Sequence, residues 1–136
     1  MPLLTGGEAI VQSLLACGID TVFGIPGMHN LGLYDALIRT PRMRHYLTRH
    51  EQAAVFMADG FFRASGKVAA VFLTTGPGTT NSITATFEAH ASSVPVLLII
   101  SQVKSQWIDK GKGVIHELTN QLGLFSSITA WTKRIT

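Results

Sequence analysis

Two unbroken apolar runs, VAAVFLT over 68–74 and VPVLLIIS over 94–101, constrain the fold of this chain more than any other feature. Neither alternates apolar with polar residues, so neither suits a sheet with one wet face. Strands of this kind are buried on both faces, which calls for a parallel sheet with helices on each side. Helical stretches do separate the candidate strands. Thr5-Gly6-Gly7-Glu8 fits a capping box, Ile10, Val11, Leu14 and Leu15 follow at helical spacing, and Gly18 stands where such a helix would end. The pattern predicts helices over 5–17, 31–38, 50–64 and 80–90, and strands over 21–25, 44–48, 68–74 and 94–101. A turn at Gly76-Pro77-Gly78, a loop over 102–113, a short helix over 114–122 and a last strand over 128–135 complete it. The fold class expected is α/β, a three-layer parallel sheet covered on both faces.

At 136 residues, 46% hydrophobic and 14% charged, the chain is a folded single domain and not a disordered one. The net charge of +3 raises nucleic acid as a partner, and Arg39, Arg42, Arg44, His45 and Arg49 cluster. No aromatic residues are interleaved with them and no nucleic-acid motif appears, so a solvated flank is expected instead. Cys17 is the single cysteine, which excludes an internal disulfide and a thiolate metal site and suits a reducing, cytoplasmic home. The N-terminus lacks a basic stretch and carries Glu8 early, unlike a signal peptide. The longest apolar run, 94–100, contains Pro95 and is too short to span a membrane. A strand ending at Thr136 with nothing to cover it suggests a domain over 1–136 that is C-terminally truncated.

In open parallel sheets, ligands bind beyond the carboxyl ends of the strands. Three stretches fall there: Gly24-Ile25-Pro26-Gly27, His50-Glu51-Gln52, and TTGPGTTN over 74–81. The last half resembles a dinucleotide fingerprint. Asn81, however, replaces the third glycine, and no acid lies about twenty residues beyond Gly76, so a plain strand-to-helix turn is equally open. Glu51 also has two readings. Thr48-Arg49-His50-Glu51 fits a second capping box, with Thr48 as N-cap. Yet on a helix Glu51 shares a stripe with Ala54, Val55, Ala58 and Phe62, opposite a wetter face of Gln52, Asp59 and Arg63. A carboxyl on that apolar side loses solvation, its pKa should rise, and it becomes suited to sharing a proton. The five histidines show no metal-ligand spacing. His116 with Glu117 either lines a site or sits in a solvated loop, and Trp107 and Trp131 are expected to pack.

Seven stretches in one order, VFGIPG, LYDAL, RHEQAA, ADGFFRASGK, TTGPGTTN, SVPVLLIISQV and WTKRI, resemble the N-terminal, pyrimidine-binding domain of thiamine-diphosphate enzymes of the acetolactate synthase type. The resemblance runs from about Thr5 to Ile135. It implies a Rossmann- or flavodoxin-like sheet and a role for Glu51 as the acid that hydrogen-bonds N1′ of the cofactor's aminopyrimidine. Pro26 and Gly27 would pass near the cofactor, and Thr74, Pro77 and Asn81 would frame its ring. A departure is Ile115-His116-Glu117, where the family often has an aromatic-Gln-acid triplet, so His116 would stand near the substrate. The family acts on 2-keto acids as homodimers or higher oligomers, its active site at the interface. Its diphosphate and Mg2+ are held through a Gly-Asp-Gly start and a downstream Asn, which this chain lacks, so the chain alone should be inactive. A dinucleotide-binding or non-catalytic regulatory module is the alternative.

Overall fold

The sheet has four parallel strands in the order β2-β1-β3-β4, where β1 is Thr21–Gly24, β2 Arg44–Leu47, β3 Ala70–Leu73 and β4 Leu97–Ile100. These come from a computed structural model that describes residues 3–135. The helices are α1 (Gly6–Ala16), α2 (Leu31–Ile38), α3 (Glu51–Ser65), α4 (Pro77–Asn81) and α5 (Ile83–Ala91). Short 3₁₀ turns occur at Met28–Asn30, Ser105–Trp107 and Gln121–Phe125.

Alternate residues of each central strand feed two separate cores. Val22, Ala70 and Phe72 face α1 and α2, packing with Val11, Leu14, Leu33 and Leu37. Phe23, Val71 and Leu73 face α3 and α5, packing with Ala54, Val55, Ala58 and Ala85. This is the three-layer arrangement that the continuous apolar runs predict. The expected burial on both faces holds for β1 and β3, whose residues are all buried. It fails for the edges: β2 is largely exposed and β4 half-buried. An apolar cleft runs along β4, lined by Leu97, Ile99, Ile128 and Trp131 among others.

The predicted capping box forms at α1. The Thr5 hydroxyl accepts from Glu8 N at 3.2 Å and the Glu8 carboxylate accepts from Thr5 N at 2.8 Å; that backbone bond, with the one donated by Thr5 Oγ1 at 2.9 Å, holds the Glu8 carboxyl below the usual range. The basic cluster is a solvated flank. Arg39 pairs with Asp35 and Glu8, and Arg44 with Asp20. His45 turns its ring against Tyr34, and burial lowers its pKa.

Three further expectations fail. The helix over 114–122 is absent, because His116 (φ 62°) and Asn120 (φ 52°) are both left-handed and no right-handed helix can run through them. The last strand over 128–135 is also absent. There the Ile128 N–H and the Thr129 hydroxyl bond back to the Phe125 carbonyl, and Arg134 pairs with Asp109, so no ladder forms on β4. Trp131 does not pack; it is 72% exposed.

Candidate functional site

The chain leaves β1 toward β2 and leaves β3 toward β4, so the strand order reverses between β1 and β3. Turns that part in this way open a crevice at the carboxyl edge of the sheet. In the β1 turn, buried Asn30 fixes the backbone: its Oδ1 accepts from Gly27 N at 2.6 Å and its Nδ2 donates to Ile25 O at 3.2 Å. In the β3 turn, Gly76 takes φ 63° and Pro77 opens α4. Pro suits the first helical position because its missing N–H has no partner to lose there. Helix therefore begins at Pro77, earlier than the predicted Thr80, and Gly78 lies inside it.

The two turns meet at Thr74. A Cβ on Gly27 would stand 2.9 Å from Thr74 Cβ, and one on Gly78 would stand 2.7 Å from Thr74 Cγ2. Neither distance is tolerable between carbons, so glycine at both positions makes a cradle that the Thr74 side chain fills. Thr74 Oγ1 is buried there with no hydrogen-bond partner.

Glu51 borders the same cradle. Its Oε1 lies 3.4 Å from where a Gly78 Cβ would be, and its Oε2 accepts from Asn81 Nδ2 at 3.0 Å. Thus Glu51, Asn81, Thr74 and Gly27 come together from three different turns. The capping-box reading of Glu51 is corrected. The N-cap of α3 is His50, whose Nδ1 accepts from Gln52 N at 3.2 Å; Thr48 Oγ1 is buried without a partner. Glu51 is half-buried, flanked on α3 by the buried Ala54, Val55 and Ala58. The supposedly wetter face is not wet throughout, since Asp59 is 7% exposed and paired with Arg63.

Pro26 and Pro77 are exposed, and Pro26 lines a shallow apolar groove with Leu31, Tyr34, Ile38 and Leu47. His116 closes over the β3 turn. Its carbonyl oxygen stands 2.6 Å from where a Gly76 Cβ would be, which glycine alone permits. Its ring is 6.0 Å from the ring of His29, whose Nε2 lies 3.1 Å from Ile115 O. His116 Nδ1 and Glu117 Oε1 are buried without partners. The sequence reading missed Gln121, which is 6% exposed and bonded to Thr75, Thr79 and Ser101 O. No short motif marks it.

An acid beside Gly78 also argues against a dinucleotide phosphate in this turn, since two negative groups would face each other. Among the described residues, no group of three or more His, Cys, Asp or Glu is placed to hold a metal ion, and no helix is long and apolar enough to cross a membrane.

Comparison with known proteins bears on the same residues. The chain is 50% identical over 129 residues to a probable 2-ketoarginine decarboxylase of Pseudomonas aeruginosa, covering 95% of this chain and 23% of that protein. It is 49% identical over 108 residues to an acetolactate synthase large subunit of Haemophilus influenzae, covering 79% and 19%. It is 44% identical over 126 residues to a probable acetolactate synthase large subunit of Methanocaldococcus jannaschii, covering 93% and 21%. The chain thus spans about a fifth of the length of these relatives. Residues 4–124 match the family described as thiamine pyrophosphate enzyme, N-terminal TPP binding domain, and the chain belongs to that family.

Proposed function

We propose that this chain forms the pyrimidine-side wall of a thiamine-diphosphate enzyme acting on 2-keto acids, with Glu51 as the acid that activates the cofactor. The observation that carries the reading is the meeting of Glu51 and Asn81 beside the Gly27–Thr74–Gly78 cradle. The site suits a flat heterocycle: with no Cβ at Gly27 or Gly78, a ring can approach bare backbone there, beside the Glu51 carboxyl. When bound, thiamine diphosphate supplies an electron sink for loss of carbon dioxide from a 2-keto acid. The chain's own residues do the rest. Asn81 Nδ2 occupies Glu51 Oε2 as a donor, which leaves Oε1, beside Gly78, to carry the shared proton. Gly27 and Thr74 orient the ring, with Pro26 and Pro77 at the outer lips. His116, held over Gly76, lies on the substrate side. The diphosphate and Mg2+ would be held by residues outside this chain, and an exposed free Cys17 suits the reducing cytoplasm. Thiamine diphosphate should raise the melting temperature of the protein expressed from its whole reading frame, and NAD should not. Stabilisation by NAD alone would overturn the assignment.

The outer stripe of α3 supports assembly as a dimer or larger. Ala53, Phe56, Met57 and Gly60 are exposed at helical spacing, beside Phe87 of α5 at 54% exposure. Apolar stripes of this kind mark contact surfaces. Phe56→Lys should shift the protein toward monomer in sedimentation; a wild-type monomer would count against the interface.

A further inference from the structure

The segment 114–120 has no helix or strand to hold it, yet it carries His116 to the site. His29 Nε2 meets Ile115 O, and the Asp109 carboxylate accepts from Asn120 N, but one buried side chain fastens the segment to the sheet. Gln121 Oε1 accepts from Thr75 Oγ1 at 2.5 Å and lies 3.2 Å from Thr79 Oγ1, while its Nε2 donates to Ser101 O at 3.1 Å. Thr75 follows β3, Thr79 lies in α4 and Ser101 follows β4. One carboxamide therefore ties together three elements at the carboxyl edge of the sheet. Thr75 and Thr79 are fully buried, so no water replaces these bonds.

The position of the bond matters. Thr75 lies between Thr74, which fills the cradle between Gly27 and Gly78, and Gly76, over which His116 sits. The hydroxyl of Thr75 has one proton. Gln102 Oε1 at 3.1 Å and His116 O at 3.3 Å also lie within reach, but the Gln121 oxygen is nearest. Without Gln121, that proton would turn to a weaker partner, and the backbone of the β3 turn would lose its lateral tie.

We infer that Gln121 is a positioning residue: it holds the Thr74–Gly78 turn and the His116 segment in register, and so sets the affinity for the cofactor's ring. This rests on the thiamine-diphosphate reading for its functional part only, because the register of the turn can be measured without cofactor. The protein expressed from its whole reading frame should be compared with Gln121→Met, which keeps the shape and loses all three bonds, and with Thr75→Val. Two quantities are read in variants that retain the wild-type circular dichroism: amide exchange over 76–81 without ligand, and the dissociation constant for thiamine diphosphate. Gln121→Met should speed exchange over 76–81 at least tenfold and weaken cofactor binding about tenfold. Thr75→Val should do part of the same, and the double variant should add little to Gln121→Met, which already removes the Thr75–Gln121 bond. Unchanged exchange over 76–81 in folded Gln121→Met would overturn the positioning role. Faster exchange with unchanged cofactor affinity would overturn its link to the site. A wild-type protein that fails to bind thiamine diphosphate would refute the functional reading instead, leaving the exchange result to decide the tie.

Discussion

Replacing Glu51 by Gln should lower kcat on a 2-keto acid at least about a hundredfold, the scale of a positioned acid or base. The substitution is nearly isosteric. A glutamine oxygen would still accept from Asn81 Nδ2, now 3.0 Å from Glu51 Oε2, so the contact across the crevice survives. The helix start survives as well, because His50 and not position 51 caps α3. What disappears is a carboxyl able to take up and return a proton beside Gly78. The measurement is steady-state turnover at saturating thiamine diphosphate, with the protein expressed from its whole reading frame. Melting temperature should stay within about 2 °C of wild type, as for a change that breaks no core contact. If turnover persists at saturation, Glu51 only packs and accepts from Asn81, and the acid must be sought elsewhere.

The layers of the fold were legible because burial on both faces leaves a mark in the sequence. VAAVFLT could serve only as a covered strand, and β3 is one. The site was legible for a related reason: glycines and an acid at three strand ends have few shared explanations, and Gly27, Gly78 and Glu51 do converge on Thr74. Local patterns misled where a tertiary contact chose between them. Thr48 fits a capping box as well as Thr5 does. Thr5 is free to turn its hydroxyl to Glu8, whereas Thr48 is buried behind β2 and His50 takes the cap. The stretch 114–122 carries enough helix formers to predict a helix. Its course is set instead by His116 over Gly76 and by Gln121 reaching Thr75 across 46 residues. Long-range polar ties of that kind have no period and leave no local trace. The stretch 128–135, with Ile, Thr and Trp, reads as a strand by propensity alone, but strand formation needs a register on β4, and its bonds run to Phe125 and Asp109 instead.

Gly24→Ala should lower the melting temperature of the chain by at least about 6 °C. Gly24 ends β1 between Leu47 of β2 and Phe72 of β3, and its carbonyl accepts from Thr48 N at 3.1 Å. A Cβ there would stand 2.3 Å from the Phe72 carbonyl oxygen and 2.7 Å from Tyr34 Oη. Neither neighbour can give way. The Phe72 backbone belongs to the central strand, tied on both sides, and Tyr34 is 5% exposed, its hydroxyl so desolvated that its pKa is pushed up. Overpacking of this kind costs about 1–3 kcal/mol, and the φ of 156°, where L side chains are strained, adds about 1–3 kcal/mol. At roughly 3–5 °C per kcal/mol for a domain of this size, the sum gives the stated shift. Gly18→Ala isolates the second contribution. It too has a positive φ, 77°, but no atom lies within 4 Å of its Cβ position, so its cost should be about 1 kcal/mol. Equal losses at the two glycines would mean that β1 and β3 are not pressed together at Gly24. That closeness is what sends the chain from β1 directly into the Ile25–Gly27 turn, against Thr74. A strand pair relaxed at this point would open the cradle from its floor, even with Glu51 and Asn81 untouched.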